Sequence, residues 1–75
     1  MSVEDELRRE TIKWLERIEK LDFDGDKDFV ENVRAYISDS RYFLEKNDLI
    51  RAFECVVWAW AWLEIGKRYG FVCLR

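Results

Sequence analysis

The sequence predicts an all-α protein, a three-helix antiparallel bundle whose second and third helices form a tight hairpin. Three observations carry that prediction. Apolar residues recur at helical spacing in three segments, two short breaks rich in Asp, Asn and Gly separate those segments, and the 75 residues contain no proline. A chain of this length supports one domain, residues 1–75, with a single small core. Its 16% aromatic content supplies that core with large side chains.

The first helix opens at Ser2, an N-cap residue followed by Glu4, Asp5 and Glu6 at the positive end of the helix dipole. Leu7, Thr11, Trp14, Leu15, Ile18 and Leu21 then form one stripe. The alternating charges of Glu4 to Glu10 read as a solvated face, with Glu4 and Arg8 spaced for an i, i+4 pair.

Residues 22–28, DFDGDKD, carry four aspartates and one lysine, which accounts for the whole net charge of −3. With Gly25 at the sixth position of a calcium loop, Asp22, Asp24, Asp28 and Glu31 fall on ligand positions. Lys20 then occupies the first position and Lys27 the eighth, where the motif wants an aspartate and an apolar residue. The simpler reading makes Gly25 a turn and Asp28 with Glu31 a capping box for the next helix. No metal site is expected.

Helix two is expected from about Lys27 to Lys46, with Phe29, Val30, Val33, Tyr36, Ile37, Ser40, Phe43 and Leu44 on its apolar face. Ser40 is small, and a bulky Trp60 or Phe53 from helix three is expected opposite it. Asn47 tolerates the left-handed conformation that ends a helix, and Asp48 caps the next one.

Helix three, Leu49 to Tyr69, is the segment the others cover. Leu49, Ala52, Phe53, Val56, Trp60 and Leu63 form one apolar stripe. Trp58, Trp62, Ile65 and Tyr69 form a second, roughly 160° away around a helix of 3.6 residues per turn. One stripe suits a core and the other an interface. Aromatic-rich patches mark such surfaces, so Trp58, Trp62, Ile65 and Tyr69 are the candidate interface and a homodimer the expected partner arrangement. The unbroken apolar run from Cys55 to Leu63 is too short for a bilayer span of about 20 residues. Gly70 reads as the C′ residue of helix three, with Phe71 folding back in a Schellman turn.

Catalytic chemistry finds little support. The chain has no histidine, which removes histidine bases and ligands. Asp39 with Glu45, and Glu54 with Glu64, are the carboxylates one would pair as acid and base, but Glu54 and Glu64 do not converge on one face. Cys55 lies in apolar surroundings with Arg51 as the nearest activating charge and reads as an inert thiol. A helix from Cys55 to Tyr69 separates Cys55 from the tail by about 21 Å. Four extended residues recover about 14 Å, so Cys55 and Cys73 are expected to be free thiols in a reducing compartment. No glycine-rich phosphate loop is present, and outside residues 22–28 acidic and basic side chains balance, which argues against direct nucleic-acid binding. No secretory leader is recognisable at the start, which sets the expectation of a cytoplasmic protein. The expectation is therefore a non-enzymatic interaction module without cofactors. The contrasting reading is a subunit or accessory of a larger enzyme or nucleoprotein complex, with a composite site at an interface and an unknown protein partner.

The run beginning at Arg34 contains Ala35 and Tyr36, Asp39, Phe43 to Lys46, Asp48, Arg51 to Phe53, Ala59, Trp62 with Leu63, and Gly66. It resembles the signature half of a small archaeal helical family known as domain of unknown function 357. Asn47 stands where that family usually has glycine. The resemblance implies a short helical bundle of archaeal origin and assigns no activity or catalytic residue. The hairpin is also similar to the start of a tetratricopeptide helix pair, but no repeat of about 34 residues follows.

Overall fold

The computed structural model describes residues 2–75. In chain order it contains α1 (Val3–Glu19), β1 (Phe23–Gly25), α2 (Lys27–Glu45), α3 (Leu49–Arg68) and β2 (Val72–Leu74). The three expected helices are present, and α2 and α3 pack along their length as a hairpin.

Local hydrogen bonds explain the helix ends. Ser2 caps α1 by accepting from the Asp5 N–H at 3.1 Å. Asn47 ends α2 at φ 60°, donating its N–H to the Leu44 carbonyl at 3.1 Å while Asp48 donates to Phe43 at 2.9 Å. Those two bonds are a Schellman turn with asparagine in place of glycine. Asp48 then serves twice, because its carboxylate accepts from the Arg51 N–H and so caps α3. One residue therefore closes one helix and opens the next, which makes the hairpin tight. The same motif ends α3, with Gly70 at φ 79° and Phe71 donating to the Gly66 carbonyl at 2.8 Å.

Two short strands depart from the all-helical pattern. β1 and β2 pair antiparallel, with Phe23 opposite Leu74 and Gly25 opposite Val72. Flanking bonds extend the ribbon, from the Asp26 N–H to the Phe71 carbonyl at 2.7 Å and from the Arg75 N–H to the Asp22 carbonyl at 2.8 Å. The α1–α2 connection and the tail, expected to be a turn and a folded-back end, are thus joined. Cap assignment shifts as well. Asp26, not Asp28, is the N-cap of α2 and accepts from the N–H groups of Asp28 and Phe29, while Glu31 lies 3.9 Å from Lys27.

The core follows one seam of α3. Leu49, Ala52, Val56, Ala59, Leu63 and Gly66 are buried at alternating spacings of three and four, the pattern that fits helices crossing at a shallow angle. Small residues at positions 52, 59 and 66 bring α2 and the ribbon close. Ser40 is fully buried and donates its hydroxyl to the Ala52 carbonyl at 2.6 Å. Ser40 therefore meets the α3 backbone, not the side chain of Trp60 or Phe53. The N-terminal part of α1 reaches the turn end of the hairpin, where Arg8 hydrogen-bonds Asn47 instead of pairing with Glu4. The ribbon covers the open end, with Phe23 and Val72 joining Ile18, Val33, Ala59 and Leu63 in one apolar cluster.

Candidate interaction surface

α1 and α2 both sit on the seam side of α3. α1 meets one flank through Trp14 and Trp60, whose rings pack edge to face at 5.6 Å while Trp60 Nε1 donates to the Trp14 carbonyl at 3.1 Å. α2 meets the other flank, where Phe29 packs edge-on against Trp62 at 5.0 Å and Tyr36 stacks on Trp58 at 6.2 Å. The outward side of α3 has no covering element among the described residues. It exposes Val57 at 48%, Trp58 at 51%, Ile65 at 50% and Tyr69 at 67%, with Ala61 half-buried among them.

The four residues read as a second stripe divide three to one. Trp58, Ile65 and Tyr69 are exposed, whereas Trp62 is half-buried beneath Phe29, which itself stacks on Phe71 at 4.9 Å. Trp62 thus ties α3 to α2 and the tail, and forms the border of the open face. Val57 and Ala61 complete that face but were invisible as a stripe, because they lie inside an apolar run with no polar residue to mark which side faces out. Val57 also edges a shallow groove of about 250 Å³ between α1 and α3, lined by Trp14, Phe53, Val56 and Trp60. Apolar surface therefore continues from the α1 flank across the outside of α3.

Glu54 and Arg68 bracket this face, and Glu64 borders it on the Val57 side. Glu54 and Arg68 are both exposed and in no ion pair among the described residues. Glu64 and Lys67 approach to 3.6 Å. Near the hairpin turn, Arg51 Nη1 donates to Asp48 at 2.8 Å, and that bond holds the Asp48 carboxyl below its ordinary range.

Elsewhere the titratable groups serve the fold. Asp24 accepts from the Gly25 N–H and lies 2.7 Å from Arg75, and both interactions lower its pKa. Asp26 caps α2 and Asp22 approaches Arg75 at 4.0 Å, so the aspartates of this loop serve separate tasks. No group of three or more His, Cys, Asp or Glu among the described residues is placed to hold a metal. Cys55 is buried and Cys73 exposed, both as free thiols. Burial, with Asp39 and Glu54 adding smaller effects, pushes the Cys55 thiol up and leaves it less nucleophilic. Among the described residues no helix is long and apolar enough to cross a membrane.

With this geometry in place, the comparisons with known proteins are specific. Residues 5–72 match the family described as Protein of unknown function (DUF357). The chain is also similar to the crystal structure of a protein from Archaeoglobus fulgidus that carries the same family designation. Sequence identity is 66%, the match covers 99% of this chain and 100% of that one, and the TM-score is 0.94. Among curated proteins no match was found.

Proposed function

The chain belongs to the DUF357 family, and from that premise we propose that it is a non-enzymatic interaction module that self-associates through the outward face of α3. The observation that supports this reading is the exposed set Val57, Trp58 and Ile65 along α3, with Tyr69 at its C-cap, on the side opposite the buried seam. Monomeric soluble proteins rarely leave large contiguous apolar patches in water, and aromatic residues are enriched where proteins meet. A standard interface removes about 800 Å² from each partner. This protein has 5287 Å² of surface, so such an interface would occupy roughly a seventh of it.

The test is native mass by light scattering over a wide concentration range, for the parent chain and for Trp58→Asp. The parent is expected to be dimeric and Trp58→Asp monomeric with its helicity intact. Trp58 is the better probe than Trp62, since it is exposed and touches α2 only at Tyr36, whereas Trp62 is half-buried beneath Phe29. A parent chain that stays monomeric throughout would overturn the reading.

A further inference from the structure

The outward face of α3 carries a pattern that is its own complement when inverted. Ala61 lies at its centre. Val57 and Ile65 stand four residues to either side of Ala61, and Glu54 and Arg68 seven residues to either side. At 100° per residue Val57 and Ile65 lie about 40° to opposite sides of the Ala61 direction, and Glu54 and Arg68 about 20°. We propose that two copies pair through α3 in an antiparallel arrangement with the twofold axis at Ala61. This rests on the self-association reading above and adds its register and direction.

The apolar residues and the end charges of the face fit that arrangement, while Glu64, about 60° from the Ala61 direction, stays at the rim beside Lys67. Ala61 meets Ala61 of the second copy on the axis, and its small side chain lets the helices approach to the 8–10 Å typical of packed pairs. Val57 and Ile65 of the second copy fill the same layer from opposite sides of the seam. Trp58 extends that layer on the flank away from Val57. About 10.5 Å from the axis, at 1.5 Å per residue, Glu54 faces Arg68 of the second copy, and the twofold repeats the pair at the other end. Both side chains are exposed and in no ion pair among the described residues, so neither must give one up to make this one. A parallel pairing would instead set Glu54 against Glu54 and Arg68 against Arg68. Like charges opposed at an interface suppress that alternative.

The decisive experiment uses two charge reversals, Glu54→Arg and Arg68→Glu, examined by sedimentation at low salt separately and as an equal mixture. Each reversed chain alone opposes like charges at both ends of the seam, and its self-association is expected to weaken by about tenfold. Mixing restores opposite charges at both ends, so the mixture is expected to associate about as tightly as the parent. Both positions are exposed, and circular dichroism of each variant checks that the fold is kept. If the parent dimerises but each reversed chain alone associates as tightly as the parent, the inverted register is wrong while self-association stands. If the parent is monomeric, both fall together.

Discussion

A methyl group of Val72 occupies the space that a β-carbon on Gly66 would need: the two would be 2.6 Å apart, with Phe29 Cδ1 at 3.0 Å on the other side. This contact explains a glycine in the last turn of α3, where alanine would ordinarily stabilise a helix interior by about 1 kcal/mol. It also fixes how closely the C-terminal strand approaches the core. Gly66→Ala is expected to lower stability by about 1 kcal/mol, overpacking outweighing the gain in helix propensity. In a Val72→Ala background the same change should become neutral or stabilising. Urea midpoints of the four chains check this, and an unchanged coupling between the two sites would refute the packing account.

Gly25 presents a harder constraint. Its φ is 148°, and an added β-carbon would lie 2.2 Å from the Phe71 carbonyl oxygen, which is backbone and cannot swing away. Gly25→Ala should therefore cost more than Gly66→Ala and open the ribbon. Hydrogen exchange locates the damage: the Asp26 amide, which donates to Phe71, is expected to lose protection while the centre of α3 retains it.

The pair of Glu19 and Arg41 joins α1 to α2 through two hydrogen bonds of 3.0 and 2.5 Å. Arg41 holds the Glu19 carboxyl below its ordinary value of 4.5. Glu19 therefore binds its proton less tightly in the folded chain than in the unfolded one, and acid favours unfolding. The contribution is complete above pH 4.5 and disappears as pH falls through the depressed folded value. Because both side chains remain more than a third exposed, solvent screening keeps its size to about 0.2–1 kcal/mol. Glu19→Gln should lower the thermal midpoint at neutral pH, with the difference from the parent vanishing in strong acid. A difference that persists there would point to a packing effect.

The two thiols should react on different timescales. Cys73 is exposed on β2, whereas Cys55 is buried with its pKa raised. A thiol reagent is expected to modify one cysteine per chain rapidly, and the second only at the rate of unfolding. Cys73→Ser should abolish the fast phase; a fast phase surviving in that variant would show that Cys55 is accessible.

Helix positions, the left-handed end at Asn47, the Schellman turn at Gly70 and the caps at Ser2 and Asp48 were legible in the sequence, because each depends on hydrogen bonds between residues no more than five apart and on the φ that Asn47 and Gly70 tolerate. The cap of α2 was misread between Asp26 and Asp28, since either aspartate in that run has the chemistry and only the entry path of the chain chooses. That path is set by the ribbon, in which Asp24 pairs with Cys73 far along the chain. Three-residue strands leave no periodicity to read.

For the candidate surface, the sequence by itself determined that α3 is apolar around most of its circumference, and it named Trp58, Ile65 and Tyr69. Only the tertiary structure decided that α1 and α2 share one side of α3, that Trp62 is drawn under Phe29, and that Val57 and Ala61 face out. The reason is physical. Hydrophobic burial has no direction of its own and grows with area, so a helix with two apolar sides is satisfied by neighbours on either. The choice falls to close-packing details such as Gly66 against Val72 and Ser40 against the Ala52 carbonyl, which fit on one side alone.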